Sequence, residues 1–174
     1  MDILVYPDER LRMKARPVEK VTDEIREIAT KMIEIMHNAR GVGLAATQVG
    51  VDKQIIIVNP KPEEEEDLVL LNPRIVNKDG RVIGEEGCLS VPGVRAKVRR
   101  SRHAVLEAIN LDEEEVTMEG EELLAVIWQH EIDHLNGILF IDKVTPASRI
   151  SVKRQLRELV GSKGTVRKPT GDEL

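Results

Sequence analysis

The segment EELLAVIWQHEIDHLNG, residues 121–137, sets how the rest of the chain is read. Leu123, Ile127, His130 and His134 recur at i, i+4, i+7 and i+11, which is one face of a helix. The spacing predicts a helix over residues 121–136, with Gly137 as a left-handed stop. Both His continue the apolar stripe, so they face the core side. Imidazoles four residues apart on one face can hold a single metal ion, with Glu131 beside it to move protons. Two core His would be the plainer reading, but the intervening Glu and the shared face favour the metal.

Working outward, residues 21–38 read as a first long helix. Thr22 is its N-cap, Asp23 and Glu24 suit the helix dipole, and Ile25, Ile28, Ala29, Met32 and Met36 keep helical spacing. Gly41-Val42-Gly43 ends it. Residues 54–58 form a β-branched run closed by Asn59-Pro60, and residues 68–71 another closed by Asn72-Pro73. The acidic run Glu63 to Glu66 between them reads as a solvated loop. Residues 95–99 alternate as a half-buried strand does. Residues 105–111 and 116–118 flank Asp112-Glu113-Glu114 as a hairpin. A third helix is expected over residues 148–160, with Val152, Leu156, Leu159 and Val160 on its apolar side. Arg149, Lys153, Arg154 and Arg157 make that helix basic. Residues 161–174, rich in Gly, Lys and Thr, are expected to be disordered. A helix, a run of strands and then helices gives an α+β fold, with antiparallel or mixed sheets packed around the His-bearing helix. Residues 1–160 fit one domain.

Composition narrows the classes. Of 174 residues, 41% are hydrophobic and 33% charged, as in a soluble globular protein. No apolar run approaches the ~20 residues of a membrane span. The opening MDILVYP has no basic n-region or apolar h-region. A net charge of −5 argues against a nucleic-acid-binding body, so no direct DNA binding is expected. The single Cys cannot form an internal disulfide, which suits a reducing cytosol.

That Cys, Cys88, sits in Glu85-Glu86-Gly87-Cys88-Leu89-Ser90-Val91-Pro92-Gly93. A lone thiol is most often a small buried hydrophobe. The flanking glycines and acids instead describe a bent functional loop. A Cys and two His would leave a fourth position for water, the mark of a catalytic site. Gly41-Val42-Gly43-Leu44-Ala45-Ala46-Thr47-Gln48 permits close backbone approach to a ligand, and Gln48 offers an amide donor for an oxyanion.

G-x-G-x-A-A-x-Q, E-G-C-L-S and Q-H-E-x-D-H-L-x-G, in this order, resemble peptide deformylase. Tyr6-Pro7-Asp8-Glu9-Arg10-Leu11-Arg12 resembles the opening of that family. The resemblance runs from about residue 3 to residue 160. Thr47 departs from it, since many members carry Pro there.

The resemblance implies removal of the formyl group from the N-terminal formyl-methionine of new polypeptides. It implies Cys88, His130 and His134 as metal ligands and Glu131 as catalytic acid/base, with metal-bound hydroxide attacking the formyl carbon. Gln48 and the backbone N–H of Leu89 would meet the oxyanion. Losing one such donor typically slows a reaction ~10²–10³-fold, so Gln48→Ala should be severely impaired. Val42 and Gly43 would pair with the substrate backbone. Val42, Glu86, Leu123, Val126, Ile127 and the His130 ring would surround the methionine side chain, and Gly87 would also bind substrate. Asp133 either buttresses the ligating His or forms an exposed ion pair. The family implies Fe2+ as the metal, with Zn2+, Ni2+ or Co2+ as substitutes. It also implies a bacterial cytoplasm. The basic helix at 148–160 is a candidate ribosome contact.

Two other classes stay open. An H-E-x-x-H peptidase would take its third ligand downstream, where Glu158 and Glu173 are the only acids of that type and no His follows. A structural metal module, or a catalytically silent relative, would need neither Glu131 nor Gln48.

Overall fold

Ile55, Ile56, Ile57 and Val58 are completely buried, and they show how the layers are arranged. The computed structural model describes residues 1–61 and 66–162. Helix α1 (Asp23–Asn38) precedes strands β1 (Gly43–Ala45), β2 (Ile55–Val58), β3 (Leu68–Asp79), β4 (Val82–Cys88) and β5 (Val91–Arg100). Strands β6 (His103–Ile109) and β7 (Glu115–Glu121) lead into α2 (Glu122–Leu135), and α3 (Arg149–Ser162) follows. One antiparallel sheet has the order β1-β2-β3-β6-β7, and β4 pairs with β5 in a second.

Strand β2 lies between two helices. Ile55 and Ile57 join Met32, Met36 and Leu44 on the α1 side. Ile56 and Val58 join Ala125, Ile127 and Trp128 on the α2 side. Alternate residues point to opposite faces, so a strand covered on both sides reads as an unbroken apolar run. A third cluster joins Val91, Val94, Ala96 and Val98 of β5 to Phe140 and to Val152 of α3.

Both long helices end as their sequences dictate. The Thr22 hydroxyl accepts from the Ile25 N–H at 3.4 Å, capping α1. At the end of α2, Ile138 N–H reaches the Asp133 carbonyl at 2.9 Å and Gly137 N–H the His134 carbonyl at 3.0 Å. Gly137 has φ 71°, and a Cβ there would fall 2.4 Å from the Arg12 carbonyl oxygen. Only glycine fits.

The structure departs from the sequence reading in four places. Strand β3 runs through Asn72-Pro73 instead of stopping there, with a register shift between Leu71 and Arg74. Asn72, at φ 49°, accepts from Val18 N–H and donates to its carbonyl, both at 2.8 Å, so the bulge is anchored. Glu85 to Cys88 belongs to β4 and not to a loop, and the bend is a register shift between Glu86 and Cys88. A 3-10 turn, Pro146–Ser148, precedes α3. Val160 is 44% exposed; Val152, Leu156 and Leu159 make the packed side of α3. Residues 63–65 of the acidic run, and the expected disordered tail from residue 163, lie outside the described residues.

Candidate active site

Cys88 closes β4, while His130 and His134 rise from one face of α2. Cys88 Sγ lies 3.2 Å from His134 Nε2, which is 3.2 Å from His130 Nε2. All three atoms fall within 4.8 Å of one another, and the described residues hold no other such group. Two nitrogens bound to one tetrahedral ion at ~2.0–2.1 Å would stand about 3.3 Å apart. The donors therefore fit a single metal.

Glu131 is 4% exposed, and its Oε2 has no hydrogen-bond partner among the described residues. Burial pushes its carboxyl up to about 7, against the pull of His130. A Cβ on Gly43 would fall 2.4 Å from Glu131 Oε1, so the glycine makes room for the carboxylate. An orphaned carboxyl oxygen beside a cysteine sulfur and two imidazoles is what a metal-bound water would satisfy.

Glu86 lines the cavity as a buried, charged group. Its carboxylate accepts from His130 Nδ1 at 2.9 Å and from Arg100 Nε and Nη2 at 2.7 and 2.9 Å. Burial works against its charge, but the bonds from Arg100 and His130 outweigh it and hold the carboxyl down at about 2. Arg100 Nη1 also meets Asp133 Oδ2 at 2.5 Å, and Lys143 Nζ meets Asp133 Oδ1 at 2.7 Å. Asp133 is thus buried in a charged chain behind the His donors, not an exposed i,i+4 pair. Arg100 is absent from the sequence reading, although the alternation of Val94, Ala96 and Val98 points the next even position inward.

The Gln48 side chain is oriented by its surroundings. Its Oε1 accepts from Ala45 N–H at 2.8 Å, which turns Nε2 toward Ser90 Oγ at 3.2 Å and Cys88 Sγ at 3.4 Å. The N-terminal segment braces the same turn: Leu4 N–H donates to the Gln48 carbonyl at 2.7 Å and Tyr6 N–H to the Ser90 carbonyl at 2.8 Å. Thr47 ties this turn to α2 through a 3.0 Å bond to the His134 carbonyl, so the departure from Pro adds a bond.

Gln48, Cys88, Leu89, His130 and Glu131 open onto one cavity of about 390 Å³. Val42, Gly43, Glu86 and Gly87 line it, as do Leu123, Val126 and Ile127. His134 lies just behind, 1% exposed. Leu123 is 55% exposed at the mouth, not in the core as its place on the stripe suggests. Arg40, Glu85 and Arg95 also line the cavity and are missed by the sequence reading. Glu158, a possible peptidase ligand, is exposed on α3, outside the donor group.

A model of the polypeptide deformylase family matches residues 1–149. The chain belongs to this family. Peptide deformylase from Pseudoalteromonas translucida is 44% identical over 158 residues, 91% of this chain and 95% of that protein. The crystal structure of a peptide deformylase from Legionella pneumophila has a TM-score of 0.87 at 40% identity, covering 97% of this chain and 98% of that one. Peptide deformylase from Plasmodium falciparum has a TM-score of 0.88 at 34% identity, covering 96% and 100%. This chain is an enzyme of that type, a metal-dependent hydrolase of protein biosynthesis. Its α+β architecture with antiparallel sheets agrees with these neighbours. Among the described residues no helix is long and apolar enough to cross a membrane.

Proposed function

We propose that this deformylase removes the formyl group from the N-terminal formyl-methionine of nascent polypeptides and releases formate. One observation carries the reading: the Cys88, His130 and His134 donor group adjoins a cavity that Glu131, whose Oε2 has no partner among the described residues, and Gln48 also line. Cys88, His130 and His134 would hold one Fe2+, for which Zn2+, Ni2+ or Co2+ can substitute. When bound, the metal lowers the pKa of a water molecule and polarises the formyl oxygen.

The chain's own groups do the rest. Glu131 takes a proton from the attacking water and returns it to the departing amine, a double role suited to a carboxyl pushed toward neutrality. Gln48 Nε2 and the Leu89 N–H donate to the oxyanion. The substrate backbone pairs beside Val42 and Gly43, next to edge strand β1. Gly87, Leu123, Val126 and Ile127, with the His130 ring, enclose the methionine side chain. Glu86 acts behind them by orienting His130.

Residues 1–160 form the catalytic unit in this reading, working in a bacterial cytoplasm. Arg149, Lys153, Arg154 and Arg157 are exposed on α3 and suit contact with ribosomal RNA. Deleting residues 148–174 should then abolish co-sedimentation with ribosomes.

The test is formate release from formyl-Met-Ala by anaerobically purified protein, with metal content measured on the same samples. Wild type should release formate, Glu131→Ala should keep metal but be inactive, and Cys88→Ser should lose metal or activity. Metal-loaded wild type that releases no formate would overturn the reading.

A further inference from the structure

The mouth of the cavity carries charge that the catalytic steps leave idle. Glu85 and Arg95 face each other there at 4.0 Å, with side chains 61% and 70% exposed, so each screens the other in water. Arg40 lines the same mouth, is exposed, and has no acidic partner among the described residues. Glu86 and Glu131 are buried, and Glu86 is already matched by Arg100. The exposed rim therefore presents Arg40, Arg95 and a single acid, in a chain whose net charge is −5.

The backbone places these cations near the reacting groups. Gly43 abuts Glu131, where the reacting carbon must sit, and Arg40 precedes it by three residues. An extended chain advances ~3.3 Å per residue, so this stretch spans at most about 10 Å. Arg40 has φ 53°, and its N–H bonds to the His37 carbonyl at 2.9 Å as α1 ends. Arg95 lines the cavity from β5, its Cγ and Cζ 3.7 Å from where a Gly87 Cβ would be. A peptide held with its reacting end beside Glu131 would extend within reach of these lining residues.

We infer that Arg40, helped by Arg95, gives this enzyme a preference for nascent chains with Asp or Glu at the two positions after the formyl-methionine. The inference rests on the deformylase reading. Acidic side chains at the second and third substrate positions meet a net positive rim, while Lys and Arg meet repulsion. Exposed pairs of this kind are weak, so the acidic-to-basic ratio of kcat/KM should be about three- to tenfold and should shrink with salt.

The experiment compares formyl-Met-Glu-Glu, formyl-Met-Ala-Ala and formyl-Met-Lys-Lys, all as C-terminal amides, on the metal-loaded full chain. Wild type should favour them in that order. Arg40→Asn, which suits the left-handed backbone, should narrow the ratio, and Arg40→Glu should invert it. Thermal unfolding of each variant checks the fold. Equal rates on all three peptides would overturn this inference alone, as would an unchanged ratio in Arg40→Glu. No formate from any peptide would overturn the deformylase reading, and this inference with it.

Discussion

Arg100 and Arg74 both pair with carboxylates, yet in opposite settings. Arg74 on β3 meets Glu107 on β6 at 2.5 Å with the two side chains 73% and 37% exposed. Arg100 on β5 is 5% exposed and serves Glu86 and Asp133 together. Water screens the first pair, leaving it roughly 0–1 kcal/mol of net value. The second set has given up its hydration, so each member needs all its partners. The contrast separates two uses of charge. The exposed pair trims the surface, whereas the buried set transmits position, because Glu86 at its far end fixes the ring of His130.

Four substitutions break or sharpen this contrast, taken from the largest effect down. Arg100→Leu strands two buried carboxylates and should remove about 3–5 kcal/mol of stability in urea unfolding. A loss below about 1 kcal/mol would erase the distinction between the settings. Glu86→Gln keeps the shape but takes the charge from behind His130. Chelator competition should then find metal bound about 10–100-fold more weakly. Lys143→Ala tests the outer end of the chain, where the amine is 40% exposed but Asp133 is buried. Its urea midpoint should correspond to about 1 kcal/mol, between the buried and exposed cases. Arg74→Ala should change stability by less than about 1 kcal/mol, and high salt should remove most of that.

The parts of the molecule that the sequence displays are those governed by local rules. Helix α2 is legible because its stripe and its glycine stop lie in one short segment. Strand β2 is legible because burial on both faces leaves no polar interruption. The second half of β3 is not legible: Asn72-Pro73 carries stop chemistry, and the strand continues because β6 supplies a partner. Strand β4 hides for a related reason. Glu85, Glu86 and Gly87 are poor strand formers, and Glu86 is tolerated there because the Arg100 side chain reaches back along β5 to its carboxylate. The grouping of Cys88 with His130 and His134 crosses from hairpin to helix. Spacing reaches the two His, the glycines and acids around Cys88 mark it as a candidate, and the family resemblance joins the three.

Trp128 gives the enzyme a built-in optical gauge. It is the chain's only tryptophan and is completely buried among sheet and helix side chains. Lying two residues before His130, it sits on the far side of α2 from the metal donors. Its indole nitrogen has no hydrogen-bond partner among the described residues, so its berth is apolar. Its emission colour therefore follows the seating of α2 on the sheet and not the contents of the cavity. A sample that loses metal yet stays blue has lost only its ion, whereas a shift to the red means that the helix has left its seat.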